Sequence, residues 1–201
     1  MIKKKRGRPR TYNPDAALGE ALNVFWRHGF SGTRLDDLSA ATGMNRPSLY
    51  AAFGDKKSIY RKSLDRFSRE FLSRLEAALF AGVSLEDDLI NFYLAALSVY
   101  QSGKNAARGC PMICTATTEA TLDDDIQSDL ANSLDRIDLV LVTRFEQALE
   151  QGQLRQSAEP KKLGQLAAAM LHSLAVRLRA QQIGFDPETF IRASVAEILK
   201  N

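Results

Sequence analysis

The feature that most constrains this chain is a spacing. In "IQSDLANSLDRIDLVLVTRFEQALEQG", apolar side chains fall at Ile126, Leu130, Leu134, Ile137, Leu141, Phe145 and Leu149. Steps of three or four put all of them on one face of an α-helix. The rhythm recurs at Ile59, Leu64, Phe67, Phe71, Leu75 and Leu79, and again at Leu85, Leu89, Phe92, Ala96 and Tyr100. Asn13-Pro14, Glu159-Pro160 and Asp186-Pro187 mark helix starts, while Gly29, Gly43, Gly54 and Gly152 sit where helices should stop. No alternating segment joined by a hairpin turn competes with this pattern. The expected fold is all-α with about nine helices.

With 201 residues, 45% of them hydrophobic and 25% charged, the chain can bury a core of ordinary size. No window approaches the roughly 18 uninterrupted apolar residues of a membrane span. The basic start runs into "TYNPDAALGE" rather than an apolar stretch, so it does not read as a secretory signal. Two cysteines are too few for a disulfide framework, which points to a reducing cytoplasm.

Charge is distributed unevenly. "MIKKKRGRPR" holds six cations and no anion, so without it the net charge of +3 becomes −3. Such a block orders only on a polyanion, or else serves as a solubilising terminus. Arg6-Gly7-Arg8-Pro9 resembles the core of an AT-hook, whose arginines enter a narrow A·T minor groove.

The segment after this arm reads as three short helices. The first runs from Asn13 to Gly29, with Leu18, Leu22, Phe25 and Trp26 on one face. Thr33 followed by Asp36 has the spacing of a capping box and should open a second helix bearing Leu35 and Leu38 inward. That helix ends at Gly43. Asn45 then caps a third, with Pro47 in its first turn and Leu49, Tyr50 and Phe53 following. Two short helices around a tight glycine turn form a helix-turn-helix, whose second helix offers its N-terminal residues to a major groove. A helical hairpin of this size can also be purely structural.

Residues 14–59 resemble the DNA-binding module of the TetR/AcrR family of bacterial transcriptional regulators. The likeness rests on Gly29-Phe30, Gly32-Thr33, Leu38, Gly43, Leu49-Tyr50, Phe53, Lys56 and Ile59. Arg34 replaces the family's second threonine, Ser39 its usual alanine, and Asn45 its usual serine cap. The resemblance implies phosphate contacts from Thr33, Tyr50 and Lys56, which Arg34 is placed to alter. Phosphate contacts set register and base contacts set specificity. Arg46 is the candidate base reader, because a guanidinium bonds bidentately to guanine O6 and N7. Asn45, Pro47 and Ser48 share the exposed start of its helix, and the arm with Arg6 and Arg8 would reach the adjacent minor groove.

The resemblance also implies the rest of the architecture. Residues 1–12 are the arm, 13–58 the helix-turn-helix domain, and 59–201 a helical ligand-binding and dimerisation domain. Roughly residues 160–199 would pair with a second subunit, although an intramolecular core is the alternative for helices so rich in alanine and leucine. The partners implied are a double-stranded DNA operator, a second copy of the chain and a small-molecule effector, with no cofactor and no membrane. Phe92, Tyr93, Tyr100, Met112, Thr118, Phe145 and His172 are candidates for a ligand cavity between helices, and each would serve equally as core filler.

Cys110 and Cys114, with Pro111 marking a helix start, should share one face of a short helix whose positive end, with Arg108, favours the thiolate. They are either buried small hydrophobes or an oxidant-sensing pair, which would make the chain a thiol-based repressor. An architectural DNA protein acting through the tail alone is the more distant alternative. Catalysis finds little support: His28 and His172 are the only histidines, and no triad spacing or phosphate loop is present. Asp123-Asp124-Asp125 lacks the spaced ligands of a calcium loop and instead suits a helix N-terminus, so no metal site is expected.

Overall fold

The structure, a computed structural model, describes residues 13–102 and 107–200. Arg6, Arg8 and the rest of the arm lie outside them. Among the described residues there are nine α-helices, a π-helical turn and no strand. Contacts divide the chain into two compact units, one ending at Ser63 and the other starting at Leu64.

The first unit contains α1 (Pro14–His28), α2 (Leu35–Thr42), α3 (Arg46–Phe53) and the start of α4 (Lys56–Leu79). Caps set these boundaries. The Asn13 carboxamide oxygen accepts from the N–H groups of Asp15 and Ala16, and that of Asn45 accepts from Ser48 N–H at 2.9 Å. The expected Thr33–Asp36 capping box does not form. Arg34 is the N-cap of α2, and its N–H donates to the Asp37 carboxylate at 2.9 Å, the acidic half of a box displaced by one residue. Thr33 turns back instead, its buried hydroxyl donating to the Gly29 carbonyl at 2.6 Å. Phe25, Phe30 and Tyr60 form a ring cluster with centroids 4.9–6.3 Å apart, and Leu38 and Leu49 of the same unit are fully buried.

The second unit contains the remainder of α4, α5 (Leu85–Tyr100), the π-turn (Met112–Ala116), α6 (Thr117–Glu119), α7 (Asp124–Glu150), α8 (Pro160–Arg179) and α9 (Pro187–Leu199). The helical spacing read from the sequence places Leu64, Phe67, Phe71, Leu75 and Leu79 of α4 in its core, as expected. The most extensive pairing is between α7 and α8, while α5 packs on α9 and α8. A Cβ on Gly164 would lie 2.9 Å from the Val142 backbone nitrogen, so the absence of a side chain is what lets α8 approach α7 so closely. Long-range polar contacts hold the helices in place. Tyr93 of α5 donates its hydroxyl to the Ala167 carbonyl of α8 at 2.8 Å. Asp88 of α5 pairs with Arg144 of α7 at 2.7 Å, both buried, and also accepts from Gly82 N–H at 2.6 Å.

Pro111 opens the helical stretch, as expected, but the turn that follows it, Met112–Ala116, is π-helical rather than α-helical. The loop before it is held by Gly109, whose φ is +66° and whose missing Cβ would meet the Ala175 carbonyl oxygen at 2.3 Å. This tight seat on α8 fixes where the two cysteines lie.

Candidate functional site

α3 is anchored from one side. Leu49 and Phe53 are buried, whereas Asn45, Arg46, Pro47, Ser48 and Tyr50 are exposed, so the five candidate DNA-contact residues of this helix lie in its solvent-facing part. Tyr50 is 47% exposed, a large aromatic surface left in water. The Asn45 carboxamide oxygen is used in capping, which leaves its NH2 as the group available outward.

Arg46 is held in place. Its Nε donates to Asp36 Oδ1 at 2.9 Å and its Nη2 to Asp36 Oδ2 at 2.7 Å, a two-pronged ion pair between the first turns of α2 and α3. The side chains remain 54% and 70% exposed. The hydrogen bond to Asp36, then its charge, raises the guanidinium pKa further above its ordinary value. The sequence reading did not include Asp36 in the site. Its signal was position alone, in the first turn of the helix just before the glycine turn.

Lys56 and Thr33 are more embedded than a phosphate-contact role alone requires. Lys56 Nζ donates to the carbonyls of Phe30 and Thr33 at 3.0 and 3.1 Å and lies 4.3 Å from the centroid of the Phe30 ring. Lys62 similarly donates to the Phe53 carbonyl at 2.7 Å, at the end of α3. Arg34 is exposed at the start of α2.

The second unit contains a cavity of about 20 Å³, room for roughly one water. Tyr100, Cys110, Met112 and His172, all named from sequence, line it together with Phe67, Phe71, Ile137 and Leu171. Ser68 and Ser133 share a hydrogen bond of 3.2 Å in its wall. With Met112 and Arg136, these serines also line an outer cavity of about 60 Å³ that adds Asp65, Asp129 and Asn132. The wall of the inner cavity does not include Phe92, Tyr93 or Phe145, which are fully buried in the core, or Thr118, which is exposed on α6. Sequence reading missed Ser68 and Ser133 because serine in a long helix otherwise reads as solvated surface.

Burial decides the chemistry of the thiols. Cys110 is enclosed, and desolvation pushes its pKa up to about 12, although the N–H groups of Ile113 and Met112 and the Tyr100 hydroxyl pull the other way. The expected thiolate-favouring helix end is therefore outweighed. Cys114 is also raised by burial, and the cation acting on it is Arg179 of α8 rather than Arg108. His172 is lowered by burial, with Asp138 opposing the shift.

Comparison with known proteins agrees with this geometry. Residues 17–62 match the family model described as bacterial regulatory proteins, tetR family. The HTH-type transcriptional repressor BdcR of Escherichia coli (strain K12) is 35% identical over 71 residues, 33% of this chain and 36% of that protein. Among solved structures, the TetR family transcriptional regulator CifR, a cysteine mutant complexed with 26-bp operator DNA, superposes with a TM-score of 0.82. It is 24% identical and covers 96% of this chain and 98% of that one. Escherichia coli NemR in its reduced form gives a TM-score of 0.78 at 20% identity, covering 92% and 96%. The HTH-type transcriptional repressor ComR of Escherichia coli (strain K12) is 37% identical over 159 residues, 79% of this chain and 74% of that protein. A likeness of that extent, reaching well beyond the helix-turn-helix, places this chain in the TetR family of bacterial regulatory proteins.

Proposed function

We propose that this protein is a transcriptional repressor that binds a two-fold-symmetric operator as a homodimer and is released by a small molecule. The observation that carries this reading is the face of α3, where Asn45, Arg46, Pro47, Ser48 and Tyr50 stand in solvent while Leu49 and Phe53 anchor the helix. The repressor names of ComR and BdcR support the direction of control. An open groove between α8 and α9, lined by Leu166, Met170, Phe190 and Ile198, supports pairing with a second copy. Two readers related by a two-fold axis meet half-sites about 34–36 Å apart or slightly more.

The effector would enter the cavity lined by Phe67, Phe71, Tyr100, Met112 and His172. Because the space now holds about one water, a larger guest must move the surrounding helices, which couples occupancy to conformation. Full reversal of the population requires it to favour the non-binding form by about 5.5 kcal/mol. A covalent signal is the second reading, favoured by the presence of Cys110 in the cavity wall. With its thiol pushed up to about 12, reaction at neutral pH would be slow and would accelerate with alkalinity.

The test is footprinting on DNA upstream of the protein's own gene, followed by titration of the protected duplex and its single-base variants. Arg46→Ala is expected to weaken the operator roughly 5- to 150-fold and to relax one base pair. Equal losses on every sequence would remove its base-reading role. Deleting residues 1–10 is expected to make the salt dependence shallower, by about 0.9 per lost phosphate contact.

A further inference from the structure

A free arginine is an indiscriminate ligand. Its guanidinium can rotate to a phosphate, to guanine, or to other acceptors at the groove edge, and each alternative lowers the contrast between bases. Arg46 is not free. A guanidinium carries five N–H bonds, and Asp36 takes the Nε–H and one Nη2–H at 2.9 and 2.7 Å. Three remain, two on Nη1 and one on Nη2, and the end of the fork presents one from each nitrogen, parallel and coplanar. That edge matches the O6/N7 pair of guanine. At adenine the same edge would meet the N6 amino group, donor against donor. The fork must break before Arg46 can turn toward a phosphate instead.

The pair is placed to act in this way. Arg46 is the first residue of α3 and Asp36 the second of α2, and the turn through Gly43, at φ +67°, brings the two helix starts within reach. Both side chains remain substantially exposed, so the pair is not sealed into a core. A carboxylate at a surface meant to meet polyanionic DNA works against affinity. Its presence therefore calls for a role other than attraction.

From this geometry we propose that Asp36 is a specificity-determining positioning residue: it holds Arg46 side-on so that the free Nη1–Nη2 edge reads guanine in the major groove. The proposal rests on the reading of α3 as the DNA-contacting helix. It predicts that affinity and discrimination separate. Removing the carboxylate relieves repulsion from phosphate and frees Arg46 to make other contacts, so binding to unrelated DNA strengthens as base preference falls.

The experiment uses the full chain and duplexes selected by the wild-type protein from a randomised pool. Fluorescence anisotropy titrations compare the selected duplex with variants at each G·C pair and with unrelated duplex, for wild type, Asp36→Asn, Asp36→Ala, Arg46→Ala and the double variant Asp36→Ala with Arg46→Ala. Asp36→Asn keeps shape and removes charge, so its folding is the easier to secure. In both Asp36 variants the preference for guanine at the Arg46 position is expected to fall about tenfold, as for the loss of one bidentate base contact. Affinity for unrelated duplex should stay constant or rise. In the Arg46→Ala background, Asp36→Ala should change no base preference. If Arg46→Ala relaxes one position while both Asp36 variants keep its preference intact, the proposal fails and the DNA-binding reading stands. If Asp36 substitution weakens all duplexes alike, the residue is merely structural and the proposal fails. If Arg46→Ala relaxes no position, the base-reading role of α3 and this proposal fail together.

Discussion

The two units of this protein differ in how far their side-chain bonds reach along the chain. In the first, side-chain bonds such as Asn45 to Ser48 N–H, Asp37 to Arg34 N–H and Arg46 to Asp36 span at most ten residues and lie at the surface. In the second, Asp88 to Arg144, Ser68 to Ser133 and Tyr93 to Ala167 span 56, 65 and 74 residues and tie separate helices together. Local surface bonds shape the ends of helices, where a ligand can be met. Distant interior bonds set how helices pack, where a cavity can open or close. A binding face is thus built from one short stretch, and a chamber from four helices at once.

The largest effect should come from the interior pair. Asp88→Ala leaves Arg144 buried beside an empty site, with a destabilisation of about 3–5 kcal/mol expected in urea unfolding. Asp88→Leu combined with Arg144→Met, which removes both charges, should cost clearly less. A loss under 1 kcal/mol for Asp88→Ala would show that water reaches the pair and would weaken the contrast between the units.

Lys56 is where the comparison can be broken in the first unit. Lys56→Met keeps most of the stem over Phe30 but loses the bonds to the Phe30 and Thr33 carbonyls. A loss of about 1–3 kcal/mol is expected by thermal or urea unfolding. DNA affinity should fall by a similar factor on every sequence. Weaker DNA binding with unchanged stability would return Lys56 to a phosphate contact alone.

The smallest effect concerns His172. Its folded pKa is lowered, first by burial, so protonation favours the unfolded chain, where an imidazole titrates near 6.5. The stability it preserves is complete above about pH 6.5 and declines as pH falls toward the lowered folded value. His172→Gln should flatten that slope in unfolding measured between pH 5.5 and 7.5. An unchanged slope would assign the pH dependence to other groups.

The first unit was largely legible in the sequence. Asn13 and Asn45 cap helices as expected, Asp55 accepts from Ser58 N–H at the start of α4, and Leu38, Leu49 and Phe53 are buried. Capping and helical periodicity depend on neighbours within four residues, so the linear order carries them. The displaced box at Arg34 shows the limit, since two adjacent acids, Asp36 and Asp37, each fit a cap and only the packed turn selected Asp37. The cavity was legible in part. Tyr100, Cys110, Met112 and His172 come together, but Ser68, Ser133 and Arg136 join them from α4 and α7 for reasons no local pattern records.

By itself, then, the sequence determined the helices, their buried faces and which residues α3 leaves in solvent, because backbone hydrogen bonding and amphipathic spacing are short-range. The tertiary structure decided three other things: that Asp36 restrains Arg46, that Lys56 is drawn inward onto Phe30, and that Cys110 is too deeply buried to ionise readily. Each depends on a dielectric or a distance set by another helix, the neighbouring one for Asp36 and more distant ones for Cys110, and such quantities exist only once those helices have packed.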